Sequence, residues 1–363
     1  MLAILWADNL RRNRNLKSGF KMARQVGTLV DHAELFRFIS EVLQAVGTPA
    51  AGATEMANQM VASDLAGHES HGIRRLREYA YRARDGFVNP TAVPTIEQDS
   101  GSLVSVNGQT NYGHLVMPFA TDLLIERARQ HGIAAVTVKN CDPAGRFADF
   151  CDHAANEGIA VFMFMNVGGG AIDVAPPGGA EARIATNPIA AGVPRQGAPN
   201  LVMDMATSAV AKGRLSDAQE RGTEIESDWL NQSGVLVPLG GVKGFALSVI
   251  AEALAGSLSS AGTVGPEVAD ARQGVLAIGI DIQKLRPLAE FKSDVAKFAT
   301  HLKQTPLEPG ASEIRMPGES TAINTKIRIE SGITIHPVIW ERLVELADNF
   351  SIKLPEPKSG SLQ

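Results

Sequence analysis

Cysteine is nearly absent: Cys141 and Cys151 are the only two in 363 residues. They are too few and too closely placed for a secreted disulfide framework, and no C-x-x-C zinc pair exists. Two thiols on one short loop and helix suit a reducing, cytoplasmic setting. Long apolar runs are also missing. None reaches the roughly 18–20 residues that a membrane helix needs, and the N-terminal run ends at Trp6 with its positive charges after it, which does not make a signal peptide. There is no excess of positive charge. A net charge of −5 gives neither nucleic acid nor an anionic membrane anything to be drawn to. Whole motif classes are absent as well. No G-x-G-x-x-G lies between a strand and a helix, and there is no G-x-x-x-x-G-K-[ST], no H-E-x-x-H and no G-x-S-x-G. A conventional Rossmann site, a P-loop, a zinc protease and a serine hydrolase are thereby set aside.

What remains is an ordinary globular composition, 44% apolar and 20% charged, with enough chain for two or three lobes. Apolar spacing near 3.6 predicts a helix over 31–46, opened by Asp31 and Glu34 in capping-box spacing and stopped by Gly47 and Pro49. Further helices are expected over 53–66, 73–84, 115–130, 147–156 and 245–258, with another after Arg286 and an amphipathic one after His336. Gly132 is placed to cap the helix over 115–130. β-type runs fall at 103–106, 133–138, 159–165 and 201–203, and the polar stretch 216–234 reads as a loop. This alternation indicates an α/β layered fold.

The most arresting stretch is AGHESHG, residues 66–72, where His68 and His71 stand three apart in a break between helices. Three readings are open. A metal site lacks further ligands, a solvated helix end is the plain alternative, and proton transfer suits imidazole near neutral pH. Arg74 and Arg75 follow at once, and a guanidinium a turn from His71 can hold a carboxylate with two parallel bonds. Glycines 168–170 and 178–179 permit close approach of a backbone, with loop geometry the simpler role. Asp204 closes a strand. Lys243 sits between glycines before an apolar helix, where backbone N–H groups also point at an anion.

In order, SDLAGHESHGIRRLREY, HGIAAVTVKN, VAPPGGAEARIATNPIA, MDMATSAVAKGRL, LGGVKGFALSVIAEALAG and RMPGE resemble the malate/L-lactate dehydrogenase family of the non-Rossmann type. That family includes ureidoglycolate, sulfolactate, diketogulonate and piperideine-2-carboxylate oxidoreductases. The resemblance implies an α/β fold with a largely antiparallel sheet in the cofactor domain and a helical substrate and dimerisation region. It divides the chain into an extension (1–25), a helical region with the substrate motif (26–110), an NAD(P)-binding domain (111–310) and a C-terminal segment (311–363) that returns to the helical region. It further implies a homodimer that transfers hydride between NAD or NADP and a small 2-oxo acid, 2-hydroxy acid or cyclic imino acid.

On the same resemblance, His71 and Asp204 are catalytic, while Ser70, Arg75 and Thr186 meet the substrate. Asn166, Asn187, Pro188, Met205, Ala206, Thr207, Lys243, Arg315, Gly318 and Glu319 line the cofactor, and no metal is involved. Three departures stand out. Pro143 occupies the position where the family places its proton-transferring histidine, and proline carries no such proton. Val167 replaces a serine, and Val242 a histidine, in a chain whose 229–238 loop is also short. Two readings follow: a reductase in which His71, Asp142 or water covers the missing histidine, and a diverged lyase, isomerase or binding protein.

Overall fold

The computed structural model describes residues 27–168, 172–265 and 272–358, so the extension read over 1–25 and glycines 169 and 170 lie outside the described residues. β1 (Thr28–Val30) runs into α1 (His32–Ala45), with Asp31 accepting from the Ala33 N–H at 2.9 Å. The reciprocal half of the capping box is not made. Glu34 turns instead to Arg37 at 3.0 Å and to the Glu356 N–H at 3.1 Å. α2 (Ala50–Leu65) is followed by two single 3-10 turns, Glu69–His71 and Ile73–Arg75, and by α3 (Leu76–Arg84). Then come β2 (Thr95–Asp99), β3 (Leu103–Asn107), α4 (Gly113–His131), β4 (Ile133–Cys141), α5 (Phe147–Asn156) and β5 (Ile159–Asn166). β6 (Ile189–Val193) and β7 (Leu201–Met205) precede α6 (Lys212–Arg221) and α7 (Val242–Ala251), which widens into a π turn, Glu252–Ser257. β8 (Gln273–Asp281), α8 (Leu288–Lys303), α9 (Glu319–Ser331), β9 (Ile333–Ile335) and α10 (Pro337–Phe350) complete the described chain.

Seven strands form one sheet in the order β2-β3-β4-β8-β5-β6-β7, and only the β3–β4 pair is parallel. The expected largely antiparallel α/β fold is therefore present. β8 lies in the middle and is buried along most of its length. A continuous apolar run covered on both faces carries no alternation, which is why its sequence gave no strand signal. α4 and α5 pack on this sheet through Leu124, Phe147 and Phe150.

A second core is helical. Leu35 and Phe38 of α1, Met56 and Met60 of α2, Tyr79 of α3, and Leu343 and Leu346 of α10 bury one another. β1 pairs antiparallel with β9, so residues 333–335 pack on the first described strand. A third, small core holds Val174, Leu215, Ala218, Trp229 and Leu236. It corrects one expectation, since residues read as polar loop are in part α6. Only Leu215 and Ala218 of that helix are buried, too sparse an apolar stripe to register as a period, and its charged side chains form ion pairs.

Candidate active site

The AGHESHG segment is fastened from three sides. Asp64, near the end of α2, accepts the Ile73 N–H at 2.8 Å. Arg328 of α9 donates to the Asp64 carbonyl at 2.5 Å and pairs with Glu69 at 3.0 Å, while Arg221 of α6 reaches Glu69 at 2.9 Å. Arg74 pairs with Asp217 and Glu220 of α6, each at 2.9 Å. This separates the two adjacent arginines. Arg74 docks α6, whereas Arg75 lies with its guanidinium 5.8 Å from the Tyr79 ring centroid and 3.0 Å from Glu78. The Arg75 side chain keeps 35% exposure and a face for a ligand.

Ser70 Oγ lies 2.9 Å from His71 Nδ1, and α6 comes so near that a Cβ on Gly213 would stand 2.6 Å from that of Ser70. Burial, then Arg75 and the neighbouring histidines, drives His71 down to about 3. Burial, then Arg146, takes His68 to about 4. Both rings are neutral at pH 7 and can hydrogen-bond without adding charge to the site.

The facing wall is the turn after β4. Asp142 has no exposed side-chain surface, and Arg82 clamps it with Nε at 2.9 and 3.1 Å from its two oxygens. Burial raises this carboxyl and Arg82 opposes the rise. Both of its oxygens are held by Arg82, which ties the turn to α3. Asp204, at the end of β7, accepts the Ala148 N–H at 2.9 Å. It thus places a carboxyl at the N-terminus of α5, where the helix dipole favours a negative charge, while burial pushes its pKa up against the pull of the Ala148 N–H. It stands near the end of a strand, as the sequence indicated, and its carboxyl holds the start of the helix. Sequence reasoning missed His114, the second residue of α4, whose ring packs edge-on to Tyr79 at 5.1 Å. A single histidine at a helix start carries no spacing signal that would have found it.

The residues expected around the cofactor fall into three groups. Asn166 and Asn187 are fully buried, and their amides meet Glu252 on the π turn at 3.4 and 2.6 Å. Asn166 also accepts the Gly274 N–H at 2.8 Å, and Asn187 accepts the Val167 N–H. Thr207 bonds the Thr186 and Asn187 carbonyls at 3.0 and 3.1 Å, and the Pro188 carbonyl accepts from Met165. These side chains hold the two turns together, leaving backbone as what they present to a ligand, with Met205 and Ala206 alongside. Lys243 forms a second group, exposed in the first turn of α7 behind Gly240 and Gly241. Both glycines have positive φ, and a Cβ on either would meet nothing within 4 Å.

The third group lies at the start of β7 and of α9. Arg315 is exposed beside Glu313, Gly318 takes φ +93°, and Glu319 binds Arg195 at 3.1 Å and Lys303 at 2.7 Å. The Pro317 carbonyl accepts from Val202, at the start of β7. Asp204 is at the other end of that strand. The structure therefore gathers His71, Ser70, Arg75 and the 142–146 turn, while 315–319 packs on the start of β7 and leads into α9, whose Arg328 holds Asp64. Among the described residues no group of three His, Cys, Asp or Glu side chains could hold a metal.

Comparison with known proteins identifies the family. The family model described as malate/L-lactate dehydrogenase matches residues 30–344. An L-lactate dehydrogenase of Cupriavidus necator is 33% identical over 87% of this chain and 96% of its own length. A malate dehydrogenase of Pyrococcus abyssi is 32% identical over 88% of this chain and 94% of its own. Among solved structures, malate dehydrogenase from Entamoeba histolytica superposes with TM-score 0.85 and 26% identity, covering 91% of this chain and all of its own. Delta1-piperideine-2-carboxylate reductase from Pseudomonas syringae superposes with TM-score 0.75 and 26% identity, covering 88% and 99% of the two chains. The protein is an oxidoreductase of the hydroxy-acid dehydrogenase class. It belongs to the malate/L-lactate dehydrogenase family.

Proposed function

We propose that this enzyme transfers a hydride between NAD or NADP and a small 2-oxo acid, 2-hydroxy acid or cyclic imino acid. The observation that carries the reading is the juxtaposition of a half-open guanidinium, Arg75, with the neutral Ser70–His71 pair. Arg75 binds the substrate carboxylate through two parallel charge-assisted bonds. His71, oriented by Ser70, hydrogen-bonds the oxygen or nitrogen on the adjacent carbon. Being neutral, it orients without competing for the anion.

The residues present also fit a dinucleotide. The start of α7 offers free helix N–H groups, Lys243 and two glycines whose open Cα faces admit a phosphate, which is the chemistry of a pyrophosphate site. The wall built by Asn166, Asn187, Pro188, Met205, Ala206 and Thr207 offers backbone groups to a nicotinamide amide. When bound, nicotinamide supplies or takes the hydride; the chain supplies position and electrostatics. Arg315, Gly318 and Glu319, packed on the start of β7 two residues before Asp204, complete the cofactor wall in this reading.

The measurement is direct. NADH or NADPH consumption is followed against a panel of 2-oxo acids and a cyclic 2-imino acid. Turnover with at least one member is expected. No turnover with either dinucleotide, despite calorimetric evidence that one binds, would sink the redox reading in favour of the diverged one.

We also read the protein as a homodimer in a reducing compartment such as the cytoplasm, for which buried, unpaired Cys141 and Cys151 are suited. α7 and its approach expose Leu239, Val242, Val249, Ile250 and Leu258, with Val242 at 69% and Ile250 at 51%. A run of this kind on one helix marks an interface, and we assign it to a second copy. Val242→Asp combined with Ile250→Asp should convert a dimer to a monomer in light scattering. An unchanged mass in the folded variant would move the interface elsewhere.

A further inference from the structure

We propose that His114 is the proton-transferring residue of this enzyme, delivered from the start of α4 through a nitrogen that no other described residue engages. The proposal rests on the redox reading above and adds the acid–base group to it. The ring is fully buried. It lies against the turn after β4 so closely that a Cβ on Gly145 would stand 2.4 Å from Nε2. Its backbone is held by α2, since Gln59 Nε2 donates to the His114 carbonyl at 2.9 Å.

The two ring nitrogens have different fates. The Pro143 backbone lies near enough to act on the ring as a hydrogen-bond acceptor. Proline has no N–H, so the bond runs from an imidazole N–H to the Pro143 carbonyl. Nδ1 is buried with no hydrogen-bond partner among the described residues, so the donor is Nε2. A carbonyl that fixes the proton on one nitrogen leaves the lone pair on the other. Nδ1 is therefore a neutral base without a donor, and buried polar atoms in this condition are rare enough to require a reason.

The surroundings supply one. His114 and Arg75 are near enough to shift each other electrostatically, as are His114 and His71. Tyr79 closes another side. Burial, then Arg75, lowers the ring to about 4, with the Pro143 carbonyl opposing, so the basic form prevails at neutral pH. The competitors are occupied. Asp142 is clamped by Arg82, Asp204 accepts from the start of α5, and His71 Nδ1 is engaged by Ser70. In hydroxy-acid oxidation the substrate O–H bond breaks and its proton passes to Nδ1. The electron pair left on oxygen closes the C=O bond as the hydride on carbon departs to the oxidised dinucleotide. The resulting imidazolium returns its proton to water, and reduction reverses each step.

The test compares wild type with His114→Gln, whose amide can still donate to the Pro143 carbonyl but cannot carry a proton. Expected are a loss of kcat of about 10²–10⁴-fold, an unchanged dinucleotide Kd by calorimetry and an unchanged fold. A second readout needs no turnover. In ¹⁵N-histidine-labelled wild type, the His114 Nδ1 signal should be that of an unprotonated ring nitrogen. It should shift when NADH and the preferred hydroxy acid, a pair that cannot react, are added together. Full kcat in His114→Gln while wild type turns over would overturn the role of His114 alone; no turnover in wild type overturns the redox reading beneath it. If the variant fails to fold, the labelled wild type decides, and a protonated Nδ1 in the free protein would overturn the assignment.

Discussion

Arg75→Ala is expected to lower kcat/KM by roughly 30-fold to several thousand-fold while leaving the fold intact. Truncating one side of a hydrogen-bonded charge pair costs about 2–5 kcal/mol, and each 1.4 kcal/mol is about tenfold. The stability cost is small, because in the free protein Arg75 is partly exposed, pairing with Glu78 and lying against the Tyr79 ring. Arg75→Lys should fall between, since it keeps the charge but loses the planar fork. The adjacent residue is the control. Arg74 sits in the ion-pair network with Asp217 and Glu220, so Arg74→Ala should loosen α6 and lower the melting temperature with a smaller effect on kcat/KM. Steady-state kinetics of the three variants with the preferred substrate settles the matter. If Arg75→Ala kept wild-type KM and kcat, the carboxylate would have to be held elsewhere.

That division between neighbouring arginines shows where sequence reading ends. Local signals were legible: Asp31 caps α1, Gly132 with φ +87° ends α4, and α5 runs over the predicted residues 147–156. Each depends on residues within one or two turns, where backbone chemistry decides. Elements set by tertiary contact were not legible. β8 hides in an apolar run covered on both faces, and α6 is held by Arg74, Glu69 and Arg342 from other elements, not by an apolar stripe of its own.

The site divides in the same way. His71, Ser70 and Arg75 share one segment, so spacing alone could associate them. Asp204 was placed correctly at a strand end, but its bond to Ala148 connects residues 56 positions apart, and no local pattern reports such a bond. Asn166 and Asn187 were read as ligands, and the structure shows them spending their amides on Glu252, which the π turn points inward. His114 needed the turn at Pro143 and the start of α4 to be seen side by side.

Gly72→Ala should destabilise the protein by several kcal/mol and disable the site with it. A Cβ at this position would fall 1.9 Å from Asp64 Oδ1 and 2.1 Å from Cγ, so one of the two groups must move. The carboxyl has nowhere to go, being fully buried and bonded to the Ile73 N–H at 2.8 Å. Overpacking of this kind costs about 1–3 kcal/mol, and abandoning the Ile73 bond leaves a buried N–H unsatisfied for about 1–3 kcal/mol more. Urea titration should show a lower midpoint at similar slope, and an unchanged midpoint would mean that the 64–73 crossing is looser than its geometry. The same carboxyl gives a pH signature. Burial raises Asp64 to about 8, against the pull of the Ile73 N–H. Between the ordinary carboxyl range and pH 8 the folded state keeps a proton that the unfolded state has lost, so this group's contribution to stability falls as pH rises through that window. Asp64→Asn keeps an acceptor for Ile73 without the ionisation, and should flatten the decline between pH 5 and about pH 8. The free acid must be the form that fits, because a charge at this crossing would meet Glu69 as well as low dielectric; a slope that survives the substitution would assign the decline to another group.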